Sequence, residues 1–251
     1  MQLKQLVSYL DAYFSWAPFT FDRSQNGLQV EGNLEVSSIT SAVDACMPAF
    51  KETARQSAQF LITHHGLFWG NSLLITGLHR DRIAWLLKKG ISLYAMHLPL
   101  DAHRDVGNNA QLAKILHLYV VKPFGNCHSM SIGVEATSDN PIKLSEFVVR
   151  VEEALHTQVH LLKFGKAEIQ RIAIVSGAAA YEIPLAARQG FDLLLTGEVD
   201  HNYYHQAQEY GLNVIYAGHY ATETLGVKAL GEHLSQKFGL PHTFLDFPTG
   251  F

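Results

Sequence analysis

Short apolar runs alternate with stretches of helical periodicity along most of the chain. The runs at 59–63 (QFLIT) and 191–197 (FDLLLTG) are almost continuously apolar, which is typical of strands buried on both faces of a parallel sheet. In the helical stretches, apolar positions recur every three or four residues, and a glycine such as Gly90 follows nearly every one. The pattern predicts strands at 37–45, 59–63, 91–101, 132–136, 159–165, 171–177, 191–198 and 213–219, and helices at 1–16, 48–58, 79–90, 108–118, 143–155, 182–190, 201–211 and 224–239.

The order of these elements repeats within the chain. Residues 39–66 align with residues 172–199, and each segment leads through one helix into a strand that ends in His-x-x-x-acid. The fold class predicted from this is two related α/β domains with mainly parallel sheets. Pro, Gly and Asn near 122–128 place the boundary there, which gives domains at 1–125 and 126–251.

Composition narrows the class of protein. The chain has 251 residues, 47% of them hydrophobic, and a formal net charge of −4 without a visible cluster of Lys and Arg, so nucleic acid is not expected as a partner. The apolar runs are far shorter than the roughly 20 residues that cross a bilayer, and the first residues are too polar for a secretory signal. Only two cysteines occur, Cys46 and Cys127, without metal-binding spacing, which favours a reduced cytoplasm.

Polar side chains cluster where the predicted strands end. In parallel α/β sheets the loops beyond the carboxyl ends of strands converge and bind ligands. Histidine is abundant, with 14 in the chain, and several of these imidazoles follow strands together with carboxylates. The residues at these ends are His64, His65, His97, Asp101, Gly197, Glu198, His219 and Glu223.

The arrangement of these side chains favours two neighbouring metal ions. Adjacent histidines on a regular strand point to opposite faces, but Gly66 allows the chain to turn so that His64 and His65 share a site. His219 and Glu223 are four residues apart, so they share one face if a helix has begun there. The predicted ligands are therefore the three imidazoles of His64, His65 and His219 and the carboxylates of Asp101 and Glu223.

This donor set has consequences for the chemistry. Nitrogen and oxygen donors without thiolates suit zinc, iron, manganese, cobalt or nickel, and do not choose among them. Two divalent ions side by side support hydrolysis of phosphate, amide or ring-amidine bonds. The alternative for a single histidine is a hydrogen-bonded structural residue, for Asp101 a helix or turn cap, and for Glu223 a favourable charge at a helix N-terminus.

Three further residues are candidates for proton transfer. His97 is either a sixth ligand or a donor behind the ligands. Glu198 and His201 are either a catalytic acid and base or satisfied polar groups at the start of a helix. Asn26 and Gly27 are expected first to form a tight turn between two strands, and only second to line a pocket.

With ITHHGLFW, MHLPLDAHRDVGNN, TGEVDHN and GHYATETLGVKAL in this order, and NGLQV near the start, the sequence resembles the YbgI and NIF-three family of dinuclear-metal proteins. Members are often labelled GTP cyclohydrolase I type two homologues. The resemblance implies two related α/β domains, a ring-shaped homohexamer and a di-metal site between the halves, completed by residues 219–251. It implies metal ligands at His64, His65, Asp101, His219 and Glu223.

The resemblance leaves the reaction open. The family label would mean opening of the guanine imidazole ring with release of formate, but no residue pattern in the chain by itself defines a guanine pocket. The first hypothesis is a dinuclear metal-dependent hydrolase of a small molecule, with a nucleotide as one candidate. The alternative is a non-enzymatic metal-binding or protein-interaction module. Processing of nucleic acid inside a ring is disfavoured by the acidic charge balance.

Overall fold

The computed structural model describes residues 1–15, 19–128 and 130–251, so that Trp16, the last residue of the first predicted helix, lies outside the described part. The chain divides into two compact units. Unit 1 consists of Met1–Leu100 and Gly226–Phe247, and unit 2 of Asp101–Leu225 and Pro248–Phe251. In the described ranges no helix combines the length and the apolar character that crossing a bilayer requires.

Strands and helices alternate in both units. The strands are β1 Gly27–Val30, β2 Ile39–Asp44, β3 Phe60–His65, β4 Ser92–Ala95, β5 Tyr119–Phe124, β6 Gly133–Lys143, β7 His160–Leu162, β8 Glu168–Val175, β9 Leu193–Thr196, β10 Asn213–Tyr216 and β11 His242–Phe244. The helices are α1 Leu3–Tyr13, α2 Met47–Arg55, α3 Gly77–Lys89, α4 Leu98–Asp101, α5 Asn108–Ile115, α6 Leu144–Leu155, α7 Ile183–Arg188, α8 Tyr204–Tyr210 and α9 His219–Phe238.

Unit 1 is built on a five-stranded sheet in the order β1-β4-β3-β2-β11. Strands β4, β3, β2 and β11 are parallel, and β1 adds an antiparallel edge. The first five residues of β3 are buried, as expected for a strand covered on both faces. The core of this unit packs Phe50 of α2 and Leu86 of α3 with Leu61 and Leu93 of the sheet, and each of these side chains is fully buried.

Unit 2 is built on a six-stranded sheet in the order β5-β6-β8-β9-β10-β7. Only β8, β9 and β10 are parallel, while β5, β6 and β7 pair antiparallel at the two sides. Phe147 of α6 packs with Ile172, Leu193 and Ile215 from the parallel strands in a fully buried core. The carboxyl ends of the three parallel strands therefore lie side by side at one edge of this sheet.

The structure confirms the predicted α/β class with two sheets. Both repeat segments form the same βαβαβ order, β2-α2-β3-α3-β4 in unit 1 and β8-α7-β9-α8-β10 in unit 2.

The predicted strand at 91–101 was wrong beyond Ala95, because the chain turns into the short helix α4. Pro99 suits the first turn of that helix, and Asp22 Oδ2 accepts a hydrogen bond from the Leu98 N–H.

The compact units do not follow the predicted boundary at 125. Strand β5 pairs with β6 of unit 2, and β11 near the C-terminus pairs in parallel with β2 of unit 1. Asp101, predicted in the first domain, belongs to unit 2. A three-residue strand such as β11 carries no periodicity of its own, so only its pairing reveals where it belongs.

Stability of unit 1 is expected to fall on acidification through His242. The Nε2 atom of His242 lies 2.8 Å from Ser41 Oγ, and burial lowers the pKa of the ring to about 4. As the pH falls below about 6.5, His242 becomes protonated in the unfolded chain but stays neutral in the folded chain. The unfolding free energy therefore decreases as the pH is lowered from about 6.5 to about 4. Denaturant unfolding over this range should show a smaller decrease for His242→Gln, and an unchanged pH dependence would contradict this role.

Candidate metal centre

Three histidines of unit 1 lie together. His64 and His65 are the last two residues of β3, and His97 follows β4, the neighbouring parallel strand. The ring centroids of His64 and His65 are 4.8 Å apart, and those of His64 and His97 are 5.0 Å apart. One ring nitrogen of each residue lies within 4.8 Å of the others, so this cluster could hold a metal ion.

Hydrogen bonds fix the tautomers of the paired histidines. His64 Nδ1 lies 3.0 Å from the carbonyl oxygen of Met96, and His65 Nδ1 lies 2.8 Å from Asp44 Oδ1. Because a carbonyl or carboxylate oxygen accepts but does not donate, Nδ1 carries the proton in both rings. Each ring is then the tautomer with its lone pair on Nε2, which is the tautomer that a metal ligand needs.

His97 is held in the same way by the loop before β1. Its Nδ1 lies 2.8 Å from Asp22 Oδ1, and its backbone N–H donates to Asn26 Oδ1 at 2.7 Å. Burial raises the pKa of the Asp22 carboxyl, but the contacts with His97 and the hydrogen bonds from Asn26 and the Ser24 N–H together outweigh burial and leave the pKa lowered. Trp69 packs edge-on against His97 with 5.0 Å between ring centroids. The loop containing Asn26 thus positions His97.

Gly66 does not have the predicted role. Both histidines belong to β3 itself, and the backbone of Gly66 is not among the left-handed positions of the chain that the structure describes. A Cβ on Gly66 would instead overlap the side-chain amide of Gln29. That amide accepts a hydrogen bond from the Leu67 N–H at 2.7 Å. Gly66 therefore lets the Gln29 side chain approach closely, and its backbone does not adopt a left-handed conformation.

In unit 2, His219 and Glu223 form a pair at the beginning of α9. The helix begins at His219, so residues four apart share a face, as predicted. His219 Nε2 lies 3.2 Å from Glu223 Oε1, and its Nδ1 lies 2.7 Å from Glu198 Oε2. The Glu223 side chain is almost completely buried. Glu198 therefore stands behind His219 as Asp44 stands behind His65.

The charges around His219 favour a cation. The hydrogen bond to Glu223 raises the pKa of His219, burial opposes the rise, and Glu198 adds to it, with a resulting pKa of about 9. A buried carboxylate next to the imidazole thus needs a positive charge to stabilise it. A proton on Nε2 provides that charge, and a metal ion bound between the two side chains would take its place.

Gly177 closes one side of this pair. Its backbone is left-handed, with φ of +65°, and a Cβ there would overlap Glu223 Oε1 and lie 3.4 Å from His219 Nε2. The Gly177 N–H donates to Thr222 Oγ1 at 3.0 Å, which ties this turn to the same helix. The backbone approaches the two side chains so closely that only glycine fits.

Asp101 is oriented by neutral donors. Its Oδ1 accepts hydrogen bonds from Asn108 Nδ2 at 2.8 Å and from Ser176 Oγ at 2.9 Å. Asn109 supports both neighbours, because its amide donates to the Asp101 carbonyl and accepts from the Ser176 N–H. All four side chains are buried. These hydrogen bonds fix the orientation of the carboxylate, as a metal-binding carboxylate requires.

Glu198 and His201 lie beyond the end of β9 at the surface. The Glu198 side chain is half exposed, and its contact with His219 Nδ1 gives it an orienting role. His201 begins a short 3-10 turn over residues 201–203, which is capped by the Asp200 side chain accepting from the Asn202 N–H. Proton transfer by Glu198, His201 or His97 stays a prediction.

Sequence reasoning missed three residues that hold the candidate ligands: Asp22, Asp44 and Ser176. Asp44 ends β2 and Ser176 follows β8, so the rule applied to the other strand ends would have selected them. Asp22 lies 75 residues from His97, in a loop without a periodic signal. Its role depends on a long-range contact that no local pattern encodes.

The donors in each unit fit divalent cations. Unit 1 offers three imidazoles, and unit 2 offers an imidazole with two buried carboxylates. The close backbone approach of Gly177 shapes the unit 2 set, and the oxygen acceptors behind the imidazoles select the ligand tautomer. Mixed nitrogen and oxygen donors are typical of catalytic zinc, iron, manganese, cobalt or nickel.

These features define an α/β protein with two mixed sheets and with clusters of histidines and carboxylates that could bind metal. The chain belongs to the Duf34/NIF3 (NGG1p interacting factor 3) family, whose model matches residues 1–249. This confirms the family predicted from the motifs.

Relatives match over nearly their whole length. A Pyrococcus horikoshii protein named GTP cyclohydrolase 1 type 2 homolog is 45% identical over 251 residues, which is 100% of both chains. A Deinococcus radiodurans protein of the same name is 41% identical over 98% of this chain and 93% of its own. Two solved structures each cover 100% of both chains. TTHA1606 from Thermus thermophilus has a TM-score of 0.92 at 42% identity, and protein ybgI, described as of unknown function, has 0.93 at 36%.

Proposed function

We propose that this chain is a dinuclear metal-dependent hydrolase of a small molecule. The proposed ligands, which would bind two divalent ions per chain, are His64, His65, Asp101, His219 and Glu223. The observation that supports this best is the shared environment of His64, His65 and His219, each of which has an oxygen atom at Nδ1, so that Nε2 is the nitrogen that faces a metal ion. Structural histidines need no such common orientation.

Ring opening of a guanine nucleotide is one candidate reaction. The support for this reaction is the name of the relatives, GTP cyclohydrolase 1 type 2 homolog. A planar substrate with a ring-amidine bond would present a carbon for attack by water and a nitrogen that must be protonated on cleavage. The proposed reaction class, hydrolysis, does not depend on this particular substrate.

Different side chains have different proposed roles in hydrolysis. Two divalent ions, when bound, lower the pKa of a water molecule and polarise a substrate oxygen. His97 is the proposed proton acceptor, because Asp22 Oδ1 lies at its Nδ1 and leaves Nε2 as the nitrogen that would take the proton. Glu198 holds His219 in place, and Trp69 covers one edge of His97.

Turnover tests this proposal. We expect His65→Ala to lower hydrolysis by at least about 100-fold, because it removes a ligand and leaves Asp44 without its imidazole. The measurement is a screen of nucleotides, phosphoesters and peptides with metal-loaded protein, followed by kinetics of the best substrate. His205→Ala, on the exposed face of α8, is the matched control and should retain full activity. Normal turnover in a metal-free His65→Ala protein would refute the proposal.

A non-enzymatic role in metal binding or protein interaction is the second candidate. Apolar side chains stand exposed between β3 and α3, including Leu74 at 81% and Ile75 at 59% exposure, and such clusters favour contact with another chain. Metal-loaded protein that turns over no compound of the screen but binds a partner reproducibly would favour this role. The ring-shaped homohexamer stays a prediction of the family resemblance.

A further inference from the structure

Unit 2 contains an open cavity of about 330 Å³ beyond the ends of β8 and β9. Tyr181, Tyr203 and His201 contribute aromatic rings to its lining, and Glu198 and Asp200 contribute carboxylates. Small residues such as Ala180 form the rest of the wall. The volume suits a bicyclic ring of the size of a nucleobase.

The lining selects a particular chemistry. Aromatic rings offer faces on which a planar ring can stack. Carboxylates accept hydrogen bonds from ring and amino N–H groups. Among the residues described around the cavity, none is Lys or Arg, so no side chain there compensates a phosphate group.

The cavity adjoins the unit 2 part of the candidate centre. Glu198, which lines it, contacts His219 Nδ1 at 2.7 Å. Ala178, another lining residue, directly follows Gly177, whose backbone packs against Glu223. A ring held in the cavity would therefore reach the edge at which His219 and Glu223 lie.

We propose that this cavity binds a planar nitrogen heterocycle with an N–H donor edge, uncharged or cationic, and keeps any phosphate of the substrate outside. The inference rests on the proposed hydrolase function and names its substrate class. Tyr181 stacks on the ring, while Asp200 and Glu198 accept its N–H groups.

Calorimetric titration of the full chain with guanosine tests this site, with ribose 5-phosphate as competitor. Guanosine should bind, and ribose 5-phosphate should not displace it. Tyr181→Ala should weaken guanosine binding by about tenfold, whereas Tyr181→Phe, which keeps the aromatic face, should retain it. Tyr210→Ala on α8 removes an exposed tyrosine outside the cavity and should have no effect.

The role of the Asp200 carboxylate is tested by a substitution that removes its charge and keeps its shape. Asp200→Asn can still cap the 3-10 turn but loses the negative charge, and we expect about fivefold weaker guanosine binding. Glu209→Gln, on α8 outside the cavity lining, is the control. Unchanged affinity in both Tyr181→Ala and Asp200→Asn, or displacement of guanosine by ribose 5-phosphate, would overturn the site.

Metal content measured on the same samples separates the two proposals. A cavity variant with normal metal content and weak guanosine binding supports the heterocycle site. Failure of guanosine to bind metal-loaded wild-type protein that hydrolyses other compounds refutes the heterocycle site alone. Wild-type protein that binds no metal refutes the proposed function, whatever its affinity for guanosine.

Discussion

Replacing Glu223 with alanine is expected to remove bound metal and to abolish turnover while the chain stays folded. The carboxylate is buried against His219 Nε2 at 3.2 Å, and the two lie on successive turns of α9. Without Glu223, the pKa of His219 should fall towards its ordinary value, since Glu223 is the largest cause of its rise. Metal analysis by mass spectrometry, together with circular dichroism as a test of folding, measures both parts of the prediction.

Glu232→Ala is the matched control for this change. Glu232 lies on the same helix but is exposed, so the same Glu→Ala change alters helix propensity in the same way without touching the buried pair. It should retain metal and activity. Full metal occupancy in Glu223→Ala would show that this carboxylate is not a ligand.

Gly177→Ala should produce the second large effect, a loss of metal caused by a single methyl group. The new Cβ would overlap Glu223 Oε1, so the Glu223 carboxylate must move from its position beside His219 Nε2. Because alanine is strained in the left-handed backbone conformation, the substitution also lowers the unfolding free energy by about 1–2 kcal/mol. We expect a fall in metal affinity of at least about tenfold, measured by competition with a chelating dye.

Gly239→Ala separates these two causes. Gly239 has nearly the same backbone conformation, with φ of +67°, but a Cβ added there would have no neighbouring atom within 4 Å among the described residues. It should lose stability by a similar amount and keep its metal affinity. Equal loss of metal in both variants would assign the effect of Gly177→Ala to general destabilisation.

The regular part of the fold could be predicted because its strands carry strong local signals. The apolar run of β3 and the helical spacing of α6 mark buried elements that periodicity identifies. Two edge strands, β5 and β11, could not be found in this way. β5 is largely exposed and β11 is only three residues long, so their membership in a sheet depends on partners far away in the chain.

The same division applies to the candidate site. His64, His65, His219 and Glu223 stand at strand or helix ends, which a sequence pattern can locate. The oxygen atoms behind them come from distant segments, as with Asp22 behind His97, and the close approach of Gln29 gave Gly66 a different reason for being glycine. Local patterns indicate which residues offer ligand atoms, whereas tertiary contacts determine how those atoms are oriented.

The metal content of the wild-type chain, purified without added metal, tests the central claim most directly. Mass spectrometry should find about two transition-metal ions per chain, and dialysis against a chelator followed by readdition of metal should restore them. Two ions per chain in the wild type with a marked loss in His65→Ala would agree with a dinuclear centre. A wild-type protein that neither contains nor takes up a divalent metal ion would contradict it.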